Sequence, residues 1–152
     1  MLNLQEIRPS DLKAEEKQSI LQHAIDLHLL GSDEVDDPGF DIVAKGSNEM
    51  EHILRITDDG DNVGVVYIFP FRAVTHYFEM TILIHDRFRG KHLTALSVGA
   101  VERYMTDHHQ KPLSLCASVR DHNPLKQELT AFLLRHGYSY SSMHRMFIKS
   151  IA

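Results

Sequence analysis

The sequence of 152 residues contains 43% hydrophobic and 24% charged residues, close to the globular average, which excludes a disordered or fibrous chain. Its 16 Lys and Arg residues against 21 Asp and Glu residues give a formal net charge of -5, which argues against a nucleic-acid binder and favours a cationic partner. The length predicts one domain over residues 1–152.

The single cysteine and the N-terminal residues bear on the cellular compartment. Cys116 stands in the apolar run PLSLCASV, which excludes an internal disulfide and favours a packed core thiol over a nucleophile. The N-terminal segment MLNLQEIRP lacks the basic flank and apolar core of a signal sequence, and no run approaches the roughly 18 apolar residues of a membrane span. We therefore expect a cytoplasmic protein that does not enter a membrane.

The first third of the chain mixes regular and broken patterns. Residues 2–8 alternate loosely and predict a short strand. A helix capped by Ser10 or Asp11 is predicted to run to about Leu30, where Gly31 ends it. The acidic segment that follows, from 32 to 47, is interrupted by proline and glycine and predicts a loop.

The middle of the chain predicts a hairpin, a strand, a basic turn and a helix. Residues 50–56 and 62–69 are apolar strands around the turn sequence DDGDN. A buried strand follows at Phe78–Ile84, and after a turn rich in arginine and glycine a helix begins at Leu93. Its predicted buried stripe is Leu96, Ala100, Val101, Tyr104 and Met105.

The last third predicts a strand at 113–119, a helix and two strands joined by a turn at Ser141 and Ser142. Asn123 is the predicted cap of that helix, and Gly137 is its left-handed end. The predicted buried face of the helix is Leu125, Leu129, Phe132, Leu133 and His136. Hairpins followed by strand-helix-strand units predict an α/β (α+β) fold with a mixed, largely antiparallel central sheet flanked by helices.

Two stretches resemble the GNAT N-acetyltransferases. Residues 87–92, Arg-Phe-Arg-Gly-Lys-His, are similar to the family signature of Gln or Arg, two residues, Gly, one residue, then Gly or Ala. Asn123 and the segment FLLRHGY at 132–138 are similar to the asparagine, helix and glycine-aromatic ending of the family. The predicted order of elements also resembles that of the superfamily along the whole chain.

The resemblance implies acetyl-coenzyme A as acyl donor, with its pyrophosphate at the start of the helix and its pantetheine arm beside the preceding strand. A helix N-terminus with a glycine and basic residues beside it suits a phosphate, because its unpaired N–H groups and the helix dipole attract anions. The implied cofactor-binding residues are Leu83, Ile84, Arg87, Arg89, Gly90, Lys91, His92, Leu93, Thr94 and Asn123. The alternative is a solvated basic turn without a ligand.

Three positions depart from the family pattern. His92 stands where the signature has Gly or Ala, and Thr94 replaces a further common glycine. Leu133 occupies the position at which many members carry a tyrosine that acts as general acid. The imidazole of His92 can crowd the pyrophosphate, point away from it or donate to it, and the sequence leaves these options open.

The implied reaction is direct transfer of an acetyl group to a primary amine in a ternary complex, and it needs a base. Glu79, eight residues before Arg87, is the candidate base because some members carry a catalytic glutamate on this strand. His85 is a second candidate base or relay. Both residues also have a structural interpretation, as a glutamate at a strand edge and as a packed histidine.

The sequence says less about the acceptor, a metal site and the oligomeric state than it says about the cofactor. An acidic run between Asp33 and Asp41 favours a small cationic amine or a protein amine as acceptor, although a solvated charge run is the alternative. The 11 histidines show no metal-binding spacing, since His108 and His109 are adjacent, so no metal is expected. A homodimer is one option. The rival functions are a non-catalytic domain that binds or senses acyl-coenzyme A, and an unrelated α/β interaction domain.

Overall fold

The computed structural model of the chain describes residues 1–18, 51–71, 74–90, 92–119 and 125–151. The described helices are α1 (Leu93–His108) and α2 (Lys126–Arg135), and residues 14–18 are also helical. The described strands are β1 (Leu2–Glu6), β2 (His52–Asp58), β3 (Asp61–Pro70), β4 (Tyr77–Ile84), β5 (Ser114–Ala117), β6 (Ser139–Ser141) and β7 (Met146–Ser150).

All seven described strands belong to one sheet, in the order β1-β2-β3-β4-β5-β7-β6. Only β4 and β5 pair in parallel, and each of the other five neighbouring pairs is antiparallel. The parallel pair is joined by a connection that contains α1, as a parallel crossover requires. The predicted mixed, largely antiparallel sheet with flanking helices is confirmed.

The predicted hairpin between β2 and β3 is confirmed, and its turn explains the local sequence. Asp59 and Gly60 both have positive φ, at 50° and 90°, which is the conformation of a two-residue turn that matches the twist of paired strands. The ladder shifts register between Ile56 and Thr57, where Val63 is the extra residue on β3.

Each face of the sheet carries its own apolar cluster. On one face α1 and α2 cover the larger cluster, which includes Ile84, Val101, Met105, Leu115 and Leu133. Each side chain that is completely buried there contributes roughly 1.5–3 kcal/mol to folding. On the other face a smaller cluster consists of Leu12, Ile53, Val65, Tyr67 and Leu83, so the chain after β1 covers this side.

The predicted buried stripe of α1 is wrong at one position. Leu96 is 57% exposed, whereas Ser97 is completely buried. A small side chain therefore lies on the buried face of the helix. The Ser97 hydroxyl is satisfied there, because it donates to the Leu93 carbonyl oxygen at 2.6 Å.

The predicted buried face of α2 is wrong at both of its ends, while the predicted helix end is confirmed. Leu125 precedes the helix and is 47% exposed, and His136 is also exposed, because the ten-residue helix buries only its middle. Gly137 has φ 90°, and the amide of Tyr138 donates to the Leu133 carbonyl at 2.9 Å, which is the left-handed helix ending that favours glycine.

Several predictions fall outside the described residues. They are the helix beyond residue 18, the acidic loop, Lys91, and the cap at Asn123. None of the helices in the described ranges combines the length and hydrophobicity that a membrane span requires.

Candidate functional site

The strands β4 and β5 separate in the middle of the sheet. Their pairing covers only three positions, Tyr77 with Ser114, Phe78 with Leu115, and Glu79 with Cys116. β4 then continues to Ile84 while pairing with β3 alone among the described strands. An edge of β4 over residues 80–84 is therefore available to an extended ligand that carries amide groups, as a strand edge is to a peptide.

The turn after β4 leads directly from this edge to the start of α1. A short 3-10 helix occupies Asp86–Phe88, and Phe88 is buried, which anchors the turn to the core. Gly90 has φ 82°, and a Cβ atom built on it would meet no atom of the described residues within 4 Å. The turn thus needs glycine for its backbone conformation and leaves open space beside it.

His92 is the residue that departs from the family signature, and its backbone adopts a conformation that favours glycine. It is the N-cap of α1 with φ 58° and ψ 23°, in the left-handed region. Glycine adopts this region without penalty, and histidine is among the residues enriched there. The side chain of His92 is exposed and makes no capping hydrogen bond.

The N-terminus of α1 consequently has no side-chain cap. The first intrahelical bond at this end joins the amide of Leu96 to the carbonyl of His92 at 3.3 Å, so the amides that precede Leu96 have no helical carbonyl to bind. The exposed side chains of Arg87 and Arg89 lie in the adjoining turn. The geometry can hold an anion such as a pyrophosphate.

A pocket of about 490 Å³ borders the same turn. His85, Arg87 and Phe88 contribute to its wall from the turn. Lys13, Glu15, Glu16 and Asn62 complete the wall. Arg55 donates to both Glu16 oxygens, at 3.0 Å and 3.3 Å, and Asn62 donates to Oε2 at 2.7 Å, so this acidic side chain is already paired.

Glu79 lies at the point where β4 and β5 separate. It is half-buried, and the Ser118 hydroxyl donates to its Oε1 atom at 3.1 Å. The position of Ser118, one residue past the end of β5, gave no signal in the sequence. Ser118 and Glu79 are 39 residues apart in the sequence. Only the parallel pairing of β4 with β5 brings the hydroxyl to the carboxylate.

The other candidate on β4, His85, is remote from Glu79. Six residues separate the two, which is about 20 Å along a strand. His85 follows the last residue of β4, and its amide donates to the Val63 carbonyl at 2.8 Å. Leu83 and Ile84 are also buried near this end of the strand, next to the turn. The structure therefore groups His85, Leu83 and Ile84 with the turn and separates them from Glu79.

Leu133 stands at the position of the acid that the resemblance implies, and the next tyrosine along the chain is Tyr138. Leu133 is 4% exposed and packs in the larger cluster. Tyr138 is also buried, and its hydroxyl donates to Glu102 Oε2 at 3.3 Å. Burial, followed by the nearby Glu102 charge and this hydrogen bond, raises the pKa of Tyr138 above its ordinary value. Both residues therefore have structural roles.

Cys116 is a packed core thiol, as predicted. It is completely buried in β5. Burial and, to a smaller extent, the charge of Glu79 raise the pKa of Cys116 to about 12. A thiol in this state is a poor nucleophile, since the thiolate is the reactive form.

Comparison with solved structures identifies the architecture. A GNAT-family acetyltransferase from Staphylococcus aureus Mu50 superposes with a TM-score of 0.69 at 11% identity, covering 100% of both chains. The aminoglycoside acetyltransferase AAC(6')-Ib in complex with coenzyme A gives 0.67 at 10% identity, covering 99% of this chain and 95% of the other. A GNAT-family acetyltransferase from Elizabethkingia anophelis with acetyl-CoA bound gives 0.61 at 8% identity, covering 93% and 78%.

Comparison at the level of sequence, by contrast, gives no match. No protein-family model matches the chain, and no curated protein matches it. At identities of this size the structural likeness concerns the overall arrangement of the backbone. The chain therefore has the GNAT fold.

Proposed function

We propose that the protein transfers an acetyl group from acetyl-coenzyme A to a primary amine, directly and in a ternary complex. The observation that carries this proposal is the edge of β4 over residues 80–84, which has no partner among the described strands and ends at an uncapped helix N-terminus. A ligand with a pyrophosphate at one end and an amide-bearing arm at the other suits both features at once. Solved structures of the same fold contain coenzyme A or acetyl-CoA.

In this proposal the pyrophosphate binds the first amides of α1, at Leu93 and Thr94. Arg87 and Arg89 neutralise its charge, since guanidinium groups form strong hydrogen bonds with phosphate oxygens. Gly90 is required because its positive φ shapes the turn and the space beside it is open. Lys91 and Asn123 remain proposed contributors from the sequence alone.

The pantetheine arm runs along β4 from Ile84 toward Glu79. Leu83 and Ile84 lie four and five positions beyond Glu79, about 13 to 17 Å along the strand. A thioester close to Glu79 is therefore out of reach of their amides, and these two residues contact the arm. The donor to the thioester carbonyl is then an amide of β4 closer to Glu79, on the edge that has no strand partner.

Glu79 is the proposed base. Its carboxylate accepts a proton from the attacking amine, either directly or through water, and the nitrogen then displaces coenzyme A from the acetyl group. The hydroxyl of Ser118 orients the carboxylate from β5. His85 lies at the phosphate end of the strand, where it borders the pocket and contacts the cofactor rather than the acceptor.

The acceptor is proposed to be a small cationic amine or a protein amine. The net charge of -5 and the acidic run in the sequence favour attraction of a cation. One solved structure of this fold is an aminoglycoside acetyltransferase, an enzyme named for a cationic small-molecule class.

A second function has one specific observation in its favour. Leu133 is buried in the core at the position where the resemblance implies a tyrosine that acts as general acid. The hydroxyl of the buried Tyr138 donates a hydrogen bond to Glu102. A chain without an acid for the departing thiolate suits a domain that binds acyl-coenzyme A without catalysis.

Two measurements test these proposals in order. Acetyl-coenzyme A is added to the purified protein during thermal unfolding, and a higher melting temperature is expected, because a ligand that binds only the folded state stabilises it. Release of free thiol is then followed with a panel of polyamines, aminoglycosides and lysine peptides. Absence of any thermal shift at millimolar cofactor contradicts both functions, whereas a shift without thiol release favours the binding domain.

A further inference from the structure

Two histidines that are distant in sequence meet at the end of the sheet opposite to the turn. The Nε2 atoms of His52, at the start of β2, and His109, at the C-cap of α1, lie 2.8 Å apart. Their rings are nearly perpendicular, at 84°, with centroids 5.1 Å apart. The ligand atoms of Glu51, His52 and His109 all lie within 4.8 Å of one another.

A carboxylate fixes the orientation of the first ring. Glu6 Oε1 lies within hydrogen-bond distance of His52 Nδ1, and Glu6 Oε2 accepts from the Tyr104 hydroxyl at 3.1 Å. A carboxylate accepts hydrogen bonds, so Nδ1 of His52 is the donor to Glu6, and Nε2 is the nitrogen atom that faces His109 and is left to bind an ion. Metal-binding histidines are commonly held in this way by a carboxylate on the opposite ring nitrogen.

The site also has the accessibility that an ion needs. The side chain of His52 is 12% exposed, and Glu51 lies at the surface. The amide of Glu51 donates to the Ile68 carbonyl at 2.7 Å, and that of His109 donates to Met105 at 3.0 Å, so both ligands stand on anchored backbone. One imidazole is thus largely enclosed and oriented, and the carboxylate belongs to an exposed residue at the solvent side of the site.

We propose that His52, His109 and Glu51 bind a divalent transition-metal ion, with Zn²⁺ as the best match. Two imidazole nitrogens and a carboxylate are a preferred donor set for Zn²⁺, with a fourth position left for water. Zinc-nitrogen bonds of about 2.0–2.1 Å in tetrahedral geometry place the two nitrogens about 3.3 Å apart. The rings need to separate by about 0.5 Å from their present contact.

The bound ion has a structural role. It joins β2 to the end of α1, and the Phe78 ring packs on His109 at 4.8 Å. Phe78 and Glu79 are consecutive on β4, so their side chains point to opposite faces of the sheet. The proposed metal site is independent of the proposed acetyl transfer. It departs from the sequence-based expectation of no metal, because a search for short ligand spacings does not detect two histidines that are 57 residues apart.

The experiment uses the full chain without a histidine tag, first dialysed against a chelator. Titration calorimetry with Zn²⁺ is expected to give one site per chain with a dissociation constant of micromolar or tighter. Addition of Co²⁺ is expected to give the visible absorption of a tetrahedral site, and Zn²⁺ is expected to remove it by competition. A wild-type protein that binds neither ion saturably at 100 micromolar overturns the proposal and leaves a simple histidine-histidine hydrogen bond.

Variants then assign the ligands. His52→Ala and His109→Ala are expected to weaken Zn²⁺ binding by at least 100-fold, and Glu6→Gln by about 10- to 100-fold, because the supporting carboxylate is lost. His108→Ala is the control, since His108 bonds to the Tyr104 carbonyl and stacks on the Tyr104 ring, and it is not one of the three residues whose ligand atoms lie together.

Folding of each variant is checked by circular dichroism. Glu51→Gln changes a surface side chain and keeps the assignment testable if a histidine variant fails to fold, and it is expected to weaken binding by at least tenfold. The proposed ligand set is overturned if every ligand variant that folds keeps the wild-type affinity for Zn²⁺. It is also overturned if His108→Ala loses as much affinity for Zn²⁺ as the ligand variants do.

Discussion

The Ser118 hydroxyl donates to Glu79 Oε1 at 3.1 Å, across the point where β4 and β5 separate. This bond connects the end of β5 to the only carboxylate on β4, at the end of the proposed pantetheine path. The pair is therefore the centre from which the proposed transfer chemistry can be tested.

Glu79→Gln is expected to lower the rate of acetyl transfer by about 10²- to 10⁴-fold, the usual contribution of a general base. The amide is nearly the same shape and still accepts the Ser118 hydrogen bond through its carbonyl oxygen. Ser118→Ala is expected to lower the rate by roughly fivefold, since one hydrogen bond of about 1 kcal/mol is lost. Steady-state thiol release measures both effects.

Acetyl-coenzyme A affinity is the control for these two variants and is expected to remain at the wild-type value. An unchanged rate in Glu79→Gln would reassign the proton to water or to His85. The distance of about 20 Å between Glu79 and His85 along β4 makes His85 the less favoured of these.

Gly90→Leu is expected to weaken acetyl-coenzyme A binding by more than tenfold, because a side chain at φ 82° strains the turn and fills the space beside it. Gly60→Leu is the matched control. Gly60 has φ 90° and, like Gly90, has no described atom within 4 Å of a built Cβ, but it lies in the β2-β3 hairpin. Thermal shift with the cofactor compares the two. Equal loss of binding in both variants would mean that the turn at Gly90 serves folding alone.

His92→Gly is expected to raise the free energy of unfolding by up to about 1 kcal/mol, since a non-glycine residue in the left-handed region carries a penalty of about 1–2 kcal/mol. Acetyl-coenzyme A affinity is expected to be unchanged or higher, because a side chain near the proposed pyrophosphate is removed. Urea unfolding and thermal shift measure the two quantities. His92→Ala keeps the backbone penalty without the imidazole, and a fivefold loss of affinity in both variants would show that the ring donates to the cofactor.

Gly64→Ala is expected to destabilise the fold by about 1–3 kcal/mol, the usual effect of overpacking. A Cβ at this position would lie 2.3 Å from the Leu83 carbonyl oxygen, which belongs to backbone and cannot rotate away. Gly99→Ala on α1 is the control with the opposite sign. Its nearest neighbour is the flexible Arg103 side chain at 3.6 Å, and alanine stabilises a helix by about 0.5–1 kcal/mol relative to glycine. Urea unfolding that ranks the two variants in the reverse order would contradict the packing argument.

Glu16 predicts a pH dependence of stability. Burial tends to raise the pKa of this carboxyl, but hydrogen bonds from Asn62, Arg55 and the Lys13 amide outweigh burial and hold the pKa below 4.5. A carboxyl whose pKa is lower in the folded state stabilises the protein above its unfolded pKa. That stabilisation is lost as the pH falls through the folded pKa, so the free energy of unfolding should decline below about pH 4.5.

Glu16→Gln is expected to lower the free energy of unfolding by about 1–3 kcal/mol at pH 7, because it weakens hydrogen bonds to a charged group. The variant should also show a smaller decline between about pH 5 and pH 3. Urea unfolding across this range measures both effects. An equally steep decline in the variant would show that other carboxyl groups control the acid sensitivity.

The sequence by itself determined most of the fold. The apolar runs of β2, β3 and β4 are too short and too rich in β-branched residues for helices, and the residues of the hairpin turn and Gly137 specify backbone conformations that few other residues adopt. These are local preferences, which the chain carries at each position regardless of its surroundings. The order of elements and the basic turn before α1 followed from them, and with these the resemblance to the GNAT acetyltransferases.

Only the tertiary structure decided the contacts that join distant segments. It brought Ser118 within hydrogen-bond distance of Glu79 and showed that His85 is remote from Glu79. It showed that Ser97 is buried where Leu96 was expected. It also brought His52 into contact with His109. It also showed that His92 lies in the left-handed region, where glycine is the favoured residue. Such contacts depend on strand order and on the closeness of a helix to the sheet. They arise from the packing of the whole chain, and the pattern of residues within one segment does not reveal them.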